Sequence, residues 1–156
     1  MVKVCVDACF LIGLYDRDDQ YHNVAVRHFG ALFGEESARH QLVAPWPILY
    51  ECLGTHYARD RRKSILFNQH WRYLDESGQI VLLDDSPFRE SSLSDQLQDR
   101  SRVFSLVDRV LRAMIVSRKP LFDFFLTYNT GDFADACRNN GVPLINEQSS
   151  PDTYGY

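Results

Sequence analysis

The feature that most restricts the fold is an alternation, repeated along the whole chain, of short apolar or β-branched runs with longer segments of helical spacing. Val2 to Val6 reads as a first strand. Ala8 to Tyr15 reads as a short apolar helix, and Tyr21 to Phe33 as a longer one, with Asp18 or Asp19 as its N-cap and Gly34 closing it. Gln41 to Ala44 is strand-like. Pro45 and Pro47 then open a helix with Ile48, Leu49, Cys52 and Leu53 as its apolar stripe, because proline is tolerated in a first turn. A helix over Ile65 to Leu74, a Ser77-Gly78 turn and a strand over Ile80 to Leu83 follow. Asp84 to Arg102 is polar and serine-rich and predicts a short helix with an exposed loop. Ser105 to Ser117 is strongly amphipathic. Phe122 to Leu126 is a buried strand, Asn129 to Asp132 a loop, Asp132 to Asn139 a helix capped by Gly141, and Val142 to Ile145 a last strand. Such alternation predicts an α/β fold, a single three-layer α/β/α domain with a mainly parallel central sheet. It would occupy residues 1–146 and leave 147–156 as a C-terminal tail.

In open parallel sheets, ligands bind beyond the carboxyl ends of the strands. Asp7 ends a strand otherwise made of Val, Lys and Cys, which draws attention to it and to the other acids that interrupt apolar stretches: Glu51, Asp108 and Asp132. Each has a local explanation. Asp7 suits a strand-end turn, Glu51 a solvated helix face, Asp108 a capping box with Ser105 and Asp132 a helix N-terminus. Taken together they suggest a site. Gathered carboxylates repel and raise each other's pKa, and a divalent cation removes that cost. Oxygen ligands suit Mg²⁺ or Mn²⁺.

The residues that carry the pattern resemble those of the PIN-domain family, which includes the VapC-type toxins. Val-Cys-Val-Asp-Ala-Cys-Phe-Leu-Ile at 4–12 looks like the family's opening strand and aspartate. Leu49-Tyr50-Glu51-Cys52-Leu53 is similar to its acidic helix. Ser105-Leu-Val-Asp108 with the helix that follows is the most specific match, and Phe125-Leu-Thr-Tyr-Asn129-Thr-Gly-Asp132-Phe133 is similar to the strand and loop that close the site. The resemblance spans about Val4 to Ile145. It implies a Mg²⁺- or Mn²⁺-dependent endoribonuclease in which Asp7, Glu51 and Asp108 ligate metal, Thr127 and Asn129 shape the site, and Asn129 or Asp132 supplies the fourth group. It also implies RNA as substrate, a toxin or an RNA-processing role, an antitoxin covering the cleft in the toxin case, and a homodimer. A PIN-like module that binds RNA or protein without cleaving is the alternative.

Composition sets the remaining bounds. With 156 residues the chain has the size of one domain. A net charge of −4 excludes a protein held to nucleic acid by bulk charge. Arg59, Arg61, Arg62 and Lys63 form a local basic knot able to follow a phosphate backbone or to sit as a solvated helix end. Arg109, Arg112, Arg118 and Lys119 would help it or pair with acids. Tyr15, Tyr21 and Trp46 suit base stacking or packing. Cys5, Cys9, Cys52 and Cys137 lack paired zinc spacing and read as buried, reduced thiols of a cytoplasmic protein, consistent with the absence of secretory-leader features in residues 1–15. No Gly-x-Ser-x-Gly elbow or glycine-rich phosphate loop occurs.

Overall fold

A computed structural model describes residues 1–34, 40–99, 103–117 and 121–150. Five strands, β1 (Val2–Val6), β2 (His40–Pro45), β3 (Ile80–Leu83), β4 (Phe124–Leu126) and β5 (Leu144–Ile145), form one sheet in the order β3-β2-β1-β4-β5, with every pairing parallel. Around it lie α1 (Ala8–Tyr15), α2 (His22–Phe33), α3 (Trp46–Glu51), α4 (Arg61–Glu76), α5 (Ser86–Gln98), α6 (Leu106–Ile115) and α7 (Thr130–Asn140). This is the expected three-layer α/β/α arrangement. The central strands are continuous apolar runs because helices cover both faces. Val4, Cys5 and Val6 of β1, Val43 and Ala44 of β2 and Phe125 and Leu126 of β4 are all fully buried.

The order matters for the site. The chain lays β2 and β3 on one side of β1 and β4 and β5 on the other. β1 and β4 therefore flank a switch point, and the crevice beyond their carboxyl ends is where this architecture presents chemistry.

Local chemistry explains most boundaries, and the departures from expectation have physical causes. The helix α2 begins at His22, after Tyr21, and neither Asp18 nor Asp19 is its N-cap. Asp19 acts one turn earlier, its carboxylate accepting the Tyr21 N–H at 2.8 Å and its carbonyl the His22 N–H at 3.0 Å. After Glu51 the chain passes into a π-helical turn over Cys52–His56, which rotates Leu53 outward to 39% exposure while Cys52 stays buried. Leu53 therefore leaves the apolar stripe. The basic knot opens α4 and does not end the helix before it. The Asp60 carboxylate caps α4 by accepting the N–H groups of Arg62 and Lys63 at 3.0 and 3.2 Å, which extends this helix a turn before Ile65.

The largest departure is α5. The polar stretch predicted as a short helix with a loop is a helix from Ser86 to Gln98 that lies along α6. Its inward face offers Ser92, buried, and half-buried Phe88, while Leu93 and Leu97 point outward. With its large apolar residues on the wrong side, it carries no helical period to read. Gly78 (φ +70°) and Gly141 (φ +67°) occupy left-handed positions at the ends of α4 and α7, where other side chains are strained.

Candidate active site

Asp7 is placed by backbone pairing. Its N–H donates to the Leu126 carbonyl at 3.0 Å, continuing the β1–β4 ladder one residue beyond β1. Its extended φ and ψ make it the N-cap of α1. Oδ1 accepts the Ala8 N–H at 2.7 Å, and Oδ2 accepts the Thr127 hydroxyl at 2.8 Å and the Cys9 thiol at 3.2 Å. The side chain is only 6% exposed. Burial raises its pKa, against the lowering effect of these three donors, and the nearby Asp108 raises it further. Asp7 is thus both a helix cap and a buried, costly carboxylate. The cap alone does not account for the cost, since an N-cap needs no burial.

Thr127 is fully buried just beyond β4. It donates to Asp7 and accepts the Asn129 N–H at 2.9 Å, so one hydroxyl ties the two strand ends together. Cys9 completes this knot. Its sulfur lies 3.4 Å from the Thr127 hydroxyl and accepts the Tyr128 N–H at 3.2 Å. Cys9 was not legible as a site neighbour. Only its place two residues after Asp7, in the first turn of α1, hints at it.

Glu51 ends α3, just past the carboxyl end of β2, on an exposed face. Protein packed around the carboxyl, then Asp7, then Asp108 raise its pKa. The three acids of the proposed set are therefore mutual electrostatic neighbours. Among the described residues no lysine or arginine pairs with Asp7, Glu51 or Asp108. Asp108 sits in the first turn of α6 and forms the complete capping box. Its Oδ2 accepts the Ser105 hydroxyl at 2.6 Å and the Ser105 N–H at 3.1 Å, and its own N–H donates to Ser105 Oγ at 3.0 Å. Asp132 lies in the first turn of α7, and its Oδ2 accepts the Asn129 side-chain amide at 2.6 Å. Asn129 and Asp132 are thus joined by a side-chain hydrogen bond.

The donor chemistry fits a hard divalent cation: burial and neighbouring acids raise the pKa of Asp7 and of Glu51, and neither of these nor Asp108 pairs with a lysine or arginine among the described residues. The arrangement is not a finished cage. Among the described residues no three His, Cys, Asp or Glu side chains converge closely enough to ligate one ion. Asp108 is turned onto Ser105 and Asp132 onto Asn129, and rotation of either side chain frees its oxygens.

Arg112 of α6 links the two helices that carry Asp108 and Asp132. It forms a two-pronged pair with Asp135 of α7 at 2.7 and 2.8 Å, donates to the Asp132 carbonyl and lies over the Phe104 ring at 4.6 Å. The paired geometry fixes orientation as well as charge. Arg112→Ala is expected to cost about 1 kcal/mol of stability, because Asp135 is partly solvated. It should also lower the thermal unfolding temperature of α7 relative to the rest of the domain, read by hydrogen exchange. Thermal melts of the whole domain read the first effect.

The basic knot is divided. Lys63 pairs with Asp16 at 2.6 Å and with Asp60 at 3.7 Å, while Arg59, Arg61 and Arg62 are exposed. Arg109 is held by Gln96 and Asp99. Arg118 and Lys119 lie outside the described residues. Tyr15 is buried, its hydroxyl 3.0 Å from His70, and so is closed to a base, while half-buried Tyr21 packs on Tyr128 at 4.8 Å. Trp46 is 40% exposed. All four cysteines are free thiols. No helix among the described residues is long and apolar enough to cross a membrane.

No protein-family model matches the sequence, and no curated protein matches it significantly. Among solved structures, the fold is similar to that of VapC20 of Mycobacterium tuberculosis, described as a toxin that cleaves the sarcin-ricin loop. The TM-score is 0.62 at 16% sequence identity, over 85% of this chain and 94% of the toxin. The chain therefore has a PIN-like three-layer fold similar to that of this toxin, with Asp7 and Thr127 at its central switch point and Glu51 and Asp108 as electrostatic neighbours of Asp7.

Proposed function

We propose that this chain is a divalent-metal-dependent endoribonuclease, of the kind that acts as the toxin of a toxin–antitoxin pair. The observation that carries the reading is the set Asp7, Glu51 and Asp108 at the switch point. Asp108 helps to raise the pKa of both Asp7 and Glu51, none of the three has a cationic partner among the described residues, and Asp7 is buried at the end of the central strand. A fold does not define a function, but a protein that keeps such a cost at the crevice of its sheet is spending stability on a site. The similarity to a toxin that cleaves RNA adds the reaction class.

In this reading Asp7, Glu51 and Asp108 hold Mg²⁺ or Mn²⁺, with Asp132 as the fourth carboxylate. Bound there, the ion lowers the pKa of a ligated water and offsets charge growing on the phosphoryl oxygens. Thr127, Cys9 and the Ala8 N–H fix the Asp7 carboxylate in one orientation, which saves reorganisation when the substrate arrives. Glu51 or Asp132 would orient the attacking water or a second ion. Asn129 orients Asp132. In-line attack of the water at phosphorus would break the P–O3′ bond, and the departing 3′-oxygen would take a proton from solvent, giving a 5′-phosphate and a 3′-hydroxyl. Arg59, Arg61 and Arg62 follow the RNA backbone, with Lys63 engaged by Asp16 until RNA competes for it. The protein works in the cytoplasm, pairs with a second copy of itself and is silenced by an antitoxin.

Cleavage of fluorescent RNA tests the reading. Hydrolysis should need Mn²⁺ or Mg²⁺, stop with chelator and leave 5′-phosphorylated fragments. A second reading is a PIN-like module that binds RNA or protein without cleaving it, in which Asp108 and Asp132 keep the Ser105 and Asn129 partners they have here. Failure to cleave across several RNAs, together with no heat of metal binding, would establish that reading instead.

A further inference from the structure

The nuclease reading makes no use of His28, a fully buried titratable side chain in the middle of α2. Both of its ring nitrogens are engaged, each with a segment distant in sequence. Nε2 lies 3.1 Å from the Ser149 carbonyl. A carbonyl only accepts, so Nε2 carries the proton and donates. Burial, helped by Arg27, holds the His28 pKa below the ordinary imidazole value against the raising effect of that carbonyl, so the ring is neutral at neutral pH. Nδ1 is then left as an acceptor for the Tyr128 hydroxyl, 3.2 Å away.

Both partners belong to segments at the carboxyl edge of the sheet, where the proposed site lies. Tyr128 is buried between Thr127, which donates to Asp7, and Asn129, which donates to Asp132. Its N–H donates to Cys9 Sγ, and its ring packs on Tyr21 at 4.8 Å. Ser149 closes a turn that starts directly after β5. Its N–H donates to the Asn146 carbonyl at 3.0 Å, and the Asn146 N–H donates to Ser149 Oγ at 3.0 Å. The Asn146 side-chain oxygen accepts the Gln148 N–H at 2.9 Å. The strand before this turn is tied to the site as well, since the Thr127 N–H donates to the Ile145 carbonyl at 3.0 Å. Arg27, the neighbour of His28, reaches the Glu147 carbonyl at 3.5 Å. Residues 146–149 thus form a strap laid against α2.

We infer that His28 is a positioning residue of the proposed metal site: it clamps this strap to the Tyr128 hydroxyl and so holds Thr127, Tyr128 and Asn129 in register with Asp7, which makes residues 147–149 part of the functional domain. The inference rests on the nuclease reading. A buried hydroxyl that loses its partner is costly, so Tyr128 stays on His28, and the backbone on either side of it is fixed with it. The other tie at Tyr128 is the Cys9 sulfur, a weak acceptor that would not hold the segment by itself. Thr127 on one side orients Asp7 and Asn129 on the other orients Asp132, so one clamp serves two of the proposed ligands. Groups that orient metal ligands from behind govern metal affinity by about tenfold or more.

The test uses the full chain carrying Tyr128→Phe, His28→Phe or Asn146→Ala. Tyr128→Phe keeps the ring and removes only the hydroxyl. Asn146→Ala opens the strap's turn and changes neither ring. Each variant, shown to be folded by circular dichroism, should bind Mn²⁺ about tenfold more weakly by calorimetry. Each should also speed amide exchange at Tyr128 and Asn129 in the absence of metal. The double variant His28→Phe/Tyr128→Phe should bind Mn²⁺ no more weakly than the weaker of the two single variants, because the two groups form one chain of bonds. Variants that melt earlier but keep wild-type Mn²⁺ affinity and wild-type exchange at the two amides overturn the inference. So do losses of affinity that simply add in the double variant. In both cases Mn²⁺ binding and RNA cleavage by the wild type leave the nuclease reading standing. A wild type that neither binds Mn²⁺ nor cleaves RNA overturns that reading and the inference with it.

Discussion

Asp7→Asn is expected to abolish metal-dependent RNA cleavage and at the same time to stabilise the metal-free protein at neutral pH. The first effect follows from the proposed ligand role. Losing several kcal/mol of transition-state stabilisation lowers kcat/KM by about 10³-fold or more. The second follows from the environment of the carboxylate. Burial and Asp108 raise the Asp7 pKa above its unfolded value. The native state therefore binds more protons than the unfolded state in the interval between the two values, and stability falls as pH rises through it. The penalty grows as pH rises from the unfolded value through the raised folded one. It is relieved only as pH drops through the raised pKa toward the unfolded value of 3.8. Glu51 behaves the same way from its unfolded value of 4.5, to a lesser degree because it is more exposed. Asparagine keeps an oxygen for the Ala8 N–H and removes the charge. In a domain of this length each kcal/mol recovered raises Tm by about 2–4 °C. The wild type should gain Tm on adding Mn²⁺ at neutral pH and lose that gain in acid, where its ligands are protonated. The variant should respond little to either. Loss of stability without metal, together with retained cleavage, would make Asp7 a structural cap and nothing more.

How much of this could be read from the sequence depended on whether a residue's role is local. β1, α1 and β3 have the expected limits because a β-branched run ending at Asp7, an apolar octet and the Ser77-Gly78 turn each carry their own signal. The helix α5 was not legible, since its inward position is Ser92 and its leucines face outward. Tertiary packing against α6 sustains it, and no period in the sequence records that contact. The π-helical turn after Glu51 was hidden for the same reason, and with it the outward rotation of Leu53. Within the site, Asp7 and Thr127 stand where strand ends were expected. The Cys9 contact to both requires knowing that β1 and β4 are neighbours, which only the sheet order supplies. Pattern alone named Asn129 and Asp132 as rivals for one role. The structure joins them in one hydrogen bond.

Asp108 poses the sharpest question, because its cap role is complete in the structure while its site role is proposed. The two roles separate by mutation. Ser105→Ala removes the hydroxyl that donates to Asp108 Oδ2 and accepts the Asp108 N–H. It should cost about 0.5–2 kcal/mol of stability, the usual cost of losing an N-cap. If Asp108 serves the site, the same change frees its carboxylate and cleavage stays within about threefold of wild type, since about 0.6 kcal/mol of barrier is the most that Ser105 governs at a distance. Asp108→Asn should show the reverse pattern. Its amide oxygen still accepts from Ser105, so stability changes by less than about 1 kcal/mol. Cleavage falls by about 10³-fold, as for Asp7→Asn, because an amide cannot replace an anionic ligand for a hard cation. The double variant Asp7→Asn/Asp108→Asn should be scarcely slower than either single one, as residues serving a single ion act as a unit. Equal losses of activity in Ser105→Ala and Asp108→Asn, scaling with their losses of stability, would instead assign Asp108 to the start of α6 alone. The ion would then be left to Asp7, Glu51 and the Asn129–Asp132 pair.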